Sequence, residues 1–347
     1  MNFNYQQICS TLLKDLSPRA KDIVKRRFGL KSSPETLDLI GKSYGVTRER
    51  VRQIENEALV KIRERKNNFN NVFIHFNDAI EKFGGLKKEE SLLDYLGEGK
   101  LRNQIFFLLT LSDDFKRYSE DKNYYPYWAK DKDILNSAKK VIDLTMKKLK
   151  SERNPLDLDE LFESENTDIF KALNRDIDKD IFNSYIEISK VIRRNPEGKF
   201  GFKEWVEINP KGIKDKAYLV LKKQGKCLHF SEVAELIKNS PYFSKNKIHT
   251  ATVHNELIKD PRFILVGRGL YGLKEWGYES GIVKEVILKV LNKAEKPLPK
   301  DDIIKGVLAQ RFVKENTVFL NLSDRNWFVR RPDGTYIVNP ALKSKSA

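Results

Sequence analysis

The sequence predicts a mainly α chain with small β-hairpins: an amino-terminal helix-turn-helix domain followed by about four tandem winged-helix-like domains. Three observations carry that expectation. From Thr36 to Ile62, apolar residues recur at helical spacing around two glycines, Gly41 and Gly45. Farther along, Gly198-Lys199-Phe200-Gly201-Phe202-Lys203-Glu204-Trp205 aligns at one constant offset with Gly269-Leu270-Tyr271-Gly272-Leu273-Lys274-Glu275-Trp276, so a Gly- and aromatic-rich hairpin signal repeats. Breakers at Asn209-Pro210-Lys211-Gly212 and Glu279-Ser280-Gly281 separate the repeats.

The first element to justify is the segment 1–66. It holds 15 Lys and Arg against 8 Asp and Glu, close to half of the chain's net charge of +16 in a fifth of its length, which favours a binding surface over general solubility. With Leu37 as the first position of a helix-turn-helix, Gly41 stands where the two helices cross most closely and Gly45 supplies the positive φ of the turn. Ile40, Tyr44, Val46, Val51 and Ile54 face the core of the pair, and the stripe continues through Ala58 and Ile62. Thr47 caps the second helix, its hydroxyl accepting from the amide of Arg50 or Glu49.

That register puts Arg48, Glu49, Arg52 and Gln53 on the opposite, solvent-facing side. Arg donates a bidentate pair to guanine, Gln pairs with adenine and Glu accepts from cytosine, so these residue types at the front of a helix suit the major groove of duplex DNA.

The remaining elements are expected at 70–131 (a degenerate winged-helix-like domain), 138–210, 213–278 and 281–342. The clearest has helices at Lys216–Lys223, Phe230–Lys238 and Ile248–Lys259 and a two-stranded wing over Phe263–Trp276. Fainter copies of the hairpin are Asp333-Gly334-Thr335-Tyr336-Ile337 and Phe115–Trp128. Trp205 and Trp276 are expected to pack into small cores. Arg193, Arg194, Arg262, Arg268, Arg330 and Arg331, at the wings, are candidates for phosphate contact.

Composition narrows the function. The surface potential of a +16 chain attracts polyanions, of which nucleic acid is the leading one and an acidic membrane surface the rival. No apolar run approaches a bilayer span, and Met1–Tyr5 lacks the layout of a signal peptide, so no membrane partner is expected and the location is expected to be cytoplasmic. Cys9 and Cys227 are too few for a disulfide framework or a multi-cysteine zinc site, and His249 and His254 have no further ligand near them in sequence; no metal or cofactor is expected. Asp157/Asp159 and Asp301/Asp302 follow Pro155 and Pro299 and read as helix starts. With no phosphate-binding loop and no nucleophile elbow, no enzymatic activity is expected.

The residues Ser17-Pro18-Arg19, Arg26-Arg27-Phe28-Gly29-Leu30, Thr36–Gly41, Val46–Glu55 and Ala58–Arg63 resemble region 4 of sigma-70 family transcription initiation factors. The resemblance implies recognition of a −35-type promoter element, with Arg48, Glu49 and Gln53 approaching base edges and Arg52 and Arg27 approaching bases or phosphates. It also implies docking on RNA polymerase, through the β flap or the core, and association with a bacterial nucleoid. Leu39 stands where the pattern is usually acidic and Glu57 where it is frequently basic. The segment Ile213–Tyr278 resembles the HARE-type helix-turn-helix of RNA polymerase delta subunits and of chromatin and restriction proteins. Trp128, Trp205, Trp276 and Trp327 each sit at a hairpin, so no aromatic helix for capturing a melted strand is expected. A sigma-like transcription factor is the first expectation; a delta-like accessory subunit, or a DNA-targeting protein of a restriction or modification system, is the alternative.

Overall fold

The computed structural model describes residues 3–173, 176–240, 243, 248–278, 281–311 and 313–343. The chain is mainly α with small antiparallel sheets of two or three strands, and it divides into two compact units, 1–204 and 205–347.

The amino-terminal unit begins with α1 (Tyr5–Leu12), α2 (Pro18–Phe28), α3 (Leu37–Tyr44) and α4 (Arg48–Arg63). Their ends are written locally. Ser17 caps α2, with Pro18 at the first helical position, and Gly29 closes it at φ 64°. Thr36 caps α3 and Thr47 caps α4, each accepting a backbone N–H three residues on. After a 3₁₀ turn (Lys66–Phe69) come α5 (Asn70–Lys82), β1 (Leu86–Lys88), α6 (Glu89–Gly97), α7 (Arg102–Leu109), β2 (Lys116–Tyr118) and β3 (Tyr127–Ala129). β3 lies between β1 and β2, with Trp128 level with both Lys87 and Arg117. The expected wing at 115–128 is thus a three-stranded sheet, because the Leu86–Lys88 segment adds an edge strand that has no alternating pattern long enough to announce it.

Most of the helix-turn-helix segment does not stand on a core of its own. Leu12, Leu13, Val24, Phe28, Ala58 and Ile62 join Phe73, Phe76, Ile105, Phe107, Leu108 and Trp128 in one buried cluster. Only Ile23, Ile40 and Val51, flanked by Leu37, Tyr44, Val46 and Ile54, form a separate small core. The unit continues with α8 (Lys132–Glu152), α9 (Leu158–Leu173), α10 (Lys179–Glu187) and the hairpin β4 (Ile192–Arg194) and β5 (Phe200–Phe202). Asp157 accepts the Glu160 N–H while the Glu160 carboxylate accepts the Asp157 N–H, both at 2.9 Å, a reciprocal start for α9.

The carboxy-terminal unit holds two helical triplets, each with a wing. The first is α11 (Gly212–Gln224), β6 (Leu228–His229), α12 (Phe230–Asn239), α13 (Thr250–Lys259), β7 (Phe263–Gly267) and β8 (Leu270–Leu273), in sheet order β6-β8-β7. Ala217, Leu221, Val233, Ile237, Val253, Leu257, Phe263 and Leu273 fill its core. The second is α14 (Val283–Ala294), α15 (Lys300–Leu308), α16 (Glu315–Leu322), β9 (Phe328–Arg330) and β10 (Tyr336–Val338), followed by α17 (Pro340–Lys343). Asp301 and Asp302 lie in the first turn of α15, where their charge suits the helix dipole. Trp205 and Trp276 are half-buried, Trp276 against the α11–α13 core. Glu279 and Ser280, at an expected joint, lie outside the described residues. Among the described residues no helix is long and apolar enough to cross a membrane.

Candidate nucleic-acid interface

The turn between α3 and α4 explains why α4 projects as it does. Gly45 has φ 63°, in the left-handed region that a side chain disfavours. A Cβ on Gly41 would stand 2.7 Å from the Val46 carbonyl oxygen, so the chain crosses α3 at a distance only glycine allows. The Thr47 hydroxyl accepts the Arg50 N–H at 3.2 Å, which starts α4 at Arg48. Val51 and Ile40 are fully buried between the helices. On the opposite side of α4, Arg48, Glu49, Arg52 and Gln53 are all exposed.

Those exposed side chains are ordered among themselves. Arg52 grips Glu49 with its Nη2 2.6 Å and its Nε 3.0 Å from the carboxylate oxygens, and this holds the Glu49 carboxyl below its ordinary pKa. Arg50 donates to the Gln53 side-chain oxygen at 3.0 Å. Arg50 was missed by sequence reasoning. Its i,i+3 spacing from Gln53 was the available signal, and its exposure places it on the same surface. The Gln53 amide nitrogen keeps its donors for a base edge, while its oxygen and the Glu49 carboxylate already accept from Arg50 and Arg52.

Behind this face, α2 is stitched to the pair. Arg26 donates to both Glu35 carboxylate oxygens (3.0 and 2.7 Å) and to the Ser43 hydroxyl (2.7 Å), spanning α3 from before its start almost to its end. The Tyr44 hydroxyl donates to Asp22 at 2.7 Å, with the Arg19 guanidinium 5.0 Å from its ring centre. Arg27, expected at bases or phosphates, has a side chain 40% exposed. Its Nη1 donates to the Glu35 carbonyl at 3.3 Å and its Nε lies 3.6 Å from Glu55, whose carboxyl burial pushes up against the pull of Arg27.

The wing arginines divide in the same way. Arg262 donates to Asp260 (3.0 and 2.8 Å) and to Asp215 (2.8 Å) and lies 5.0 Å from the Tyr218 ring centre, which ties the base of the wing to α11. Arg193 donates to the Tyr125 hydroxyl at 2.9 Å and is half-buried. Arg194 is exposed but donates to the Gly198 carbonyl across its own hairpin at 3.1 Å. Arg268, Arg330 and Arg331 are at wing positions, Arg330 and Arg331 exposed and Arg268 at the turn between β7 and β8. Among the described residues no group of three or more His, Cys, Asp and Glu is placed to hold a metal ion.

The sequence of this module has counterparts among known proteins. Residues 12–64 match the family described as sigma-70, region 4. The region-4-like module is 47% identical over 58 residues to RNA polymerase sigma factor SigA of Nostoc sp., covering 16% of this chain and 15% of that protein. The same identity and length relate it to RNA polymerase sigma factor SigA1 of Synechococcus elongatus, at 16% and 14%. RNA polymerase sigma-C factor of Nostoc sp. is 43% identical over 67 residues, at 19% and 16%. The chain thus spans about a seventh of the length of the curated relatives it matches. Residues 212–276 match a second family, HARE-HTH, a helix-turn-helix domain whose description names ASXL and restriction endonuclease. That match covers α11 to the end of the wing.

Proposed function

We propose that the chain is a DNA-binding transcription protein, sigma-like at its amino terminus, whose region-4-like module reads a −35-type promoter element in duplex DNA. The observation that carries this reading is the exposed surface of Arg48, Glu49, Arg52 and Gln53, set opposite the buried Val51 on a helix that Gly45 and Thr47 fix at its start. The α4 amino end enters the major groove, Arg48 and Gln53 meet base edges, and the surrounding cations meet phosphates. RNA polymerase is the protein partner, through its β flap or core. The chain works in the cytoplasm, on the nucleoid, as a binding protein rather than an enzyme, and promoter opening falls to another component.

The test is selection of a preferred duplex from a random library with the full chain, followed by titration of Arg48→Ala on that duplex and on scrambled sequence. The expected loss is about 1–3 kcal/mol on the preferred duplex and much less on the scrambled one. An equal loss on both would overturn base reading by this helix.

A second reading, a delta-like accessory subunit acting chiefly on polymerase itself, draws support from α13. The side of that helix away from its core carries Ala251, Thr252, Asn255 and Ile258, with Lys259 at its end, which is poor in groove-reading cations. Copurification with polymerase that survives nuclease treatment would favour this second reading.

A further inference from the structure

A stretch outside the matched segment, carrying Lys100 and Arg102, is brought beside Lys31 of the α2–α3 loop inside it. The first turn of α7, directly after the α6–α7 loop (residues 98–101), is bonded to the α2–α3 loop: Asn103 donates to the Gly29 carbonyl at 2.9 Å and Gln104 to the Leu30 carbonyl at 3.2 Å. Between the two loops lies an open groove of about 680 Å³, lined among others by Lys31, Ser32, Gly99, Leu101 and Arg102. Lys31 and Lys100 are exposed, and neither has a carboxylate partner among the described residues. Arg102 is held by Asp94, with both side chains still close to half exposed. Along α2, Lys21 and Lys25 continue the positive charge; burial, then repulsion from Lys31 and Lys21, lowers the Lys25 pKa against the pull of Asp22.

The loop is also strained. Glu98 (φ 48°) and Leu101 (φ 54°) sit in the left-handed region on either side of Gly99 (φ 77°) and Lys100. Non-glycine residues persist there only when the surroundings hold them, and here α7, which begins directly after the loop, is anchored on Gly29 and Leu30 through Asn103 and Gln104. Leu101 is left 39% exposed at the rim of the groove, a position that contributes nothing to the shared core.

The position of this loop follows from three ties. The carboxy end of α7 is joined to the last residue of α4, Arg63 donating to the Thr110 carbonyl at 3.0 Å. Its amino end is joined to Gly29, and Arg27, two residues earlier, reaches Glu55 in the middle of α4. Helix α7 thus packs on α1 and α2 with its carboxy end tied to the last residue of α4, and the loop before it lies beside Gly29 and the α2–α3 loop, which leads into the helix-turn-helix.

We infer that the groove between the α2–α3 and α6–α7 loops, with Lys31 and Lys100 at its edges, holds the phosphodiester backbone of the duplex whose major groove α4 reads. This rests on the proposed function and deepens it: the matched segment supplies base contacts, and a loop outside that segment lengthens the footprint on one flank. Phosphate contact positions without specifying, so the groove adds affinity on every sequence and leaves base preference alone.

The test uses the full chain and its selected duplex, extended by about ten base pairs on each side, a full helical turn of flanking DNA, with affinity measured against salt. For Lys31→Ala/Lys100→Ala the slope of log affinity against log salt should become shallower by about 2, one for each released phosphate contact, and the loss between about 50 and 200 mM salt should shrink roughly tenfold. Hydroxyl-radical protection should retract on one flank while the preferred sequence stays the same. Both lysines are exposed, so an unchanged thermal melt is expected, and Lys100→Glu gives a second variant in which repulsion replaces attraction. If the unmodified chain selects no duplex, the proposed function and the groove fall together. If it selects one and the double variant keeps both slope and footprint, the groove alone falls.

Discussion

The two helix-turn-helix modules, α2–α4 and α11–α13 with its wing, use arginine in opposite ways. On α4, Arg48 and Arg52 stand on the exposed side, and the carboxylate that pairs there is Glu49, itself exposed. In the second module, Arg262 is turned inward onto Asp215 and Asp260, and the exposed side of α13 is nearly uncharged. A count of cations therefore does not locate an interface; the position of the carboxylates does. Where acids sit inside the fold, as Asp215 does at 7% exposure, nearby arginines serve packing, and where the paired acid is exposed they remain exchangeable for an outside partner.

The largest expected effect separates the two uses. Arg262→Ala leaves Asp215 and Asp260 without their shared cation, and should cost the carboxy-terminal unit about 2–3 kcal/mol in urea unfolding, below the roughly 3–5 of a fully buried pair because Arg262 keeps 30% exposure. Duplex affinity should change little. The same pair has a pH signature of definite sign. Arg262 holds the Asp260 carboxyl below its ordinary value, so the folded pKa is the lower one. Its stabilisation is complete above the ordinary Asp value of about 3.9 and drains away as pH falls through the folded value, so the gap between native chain and variant should narrow only in acid. A gap that stays constant however far the pH is lowered would remove the ion pair from the account, and a loss of DNA affinity with intact stability would turn Arg262 back into a phosphate contact.

The legibility of the two modules differs for the same physical reason. Gly41, Gly45, Thr47 and the Val51 register act over short spans of sequence, so the bend, the cap and the exposed face of α4 could all be read directly. The partners that engage Arg27 and Arg193, and the one that ties Arg262 to α11, lie far away in sequence: Glu55, Tyr125 and Asp215. Nothing in composition or period reveals such pairs. The short strand Leu86–Lys88 and the packing of Ile105, Phe107 and Leu108 beneath the helix-turn-helix were hidden likewise, since an apolar run says that it is buried and not against what.

A smaller effect sharpens the comparison at the helix starts. Thr47→Ala removes the side-chain acceptor for the Arg50 N–H and should cost about 1 kcal/mol of stability, with Thr47→Ser restoring most of it. His249 stands at the matching place before α13 and makes no side-chain cap bond, so His249→Ala should fall within about 0.5 kcal/mol of the unmodified chain. Equal losses at the two sites would mean that the cap at Thr47 is not what sets the start of α4.

The smallest effect is the one on which the distinction between the modules depends. Asn255 and Ile258 lie on the side of α13 away from its core, Ile258 at 62% exposure, and an Asn at the front of a groove helix pairs with adenine while an aliphatic side chain meets a thymine methyl. If α13 inserts as α4 does, Asn255→Ala should weaken the selected duplex by about 1–3 kcal/mol and Ile258→Ala by less. If α13 meets protein instead, both should leave duplex affinity and its salt slope where they were, because neither residue carries charge and neither touches a phosphate. The expectation is no change. Exposed apolar residues on a helix nearly devoid of cations have no electrostatic term to bring them to DNA, and without it a single methyl contact adds too little to hold a second helix in a groove.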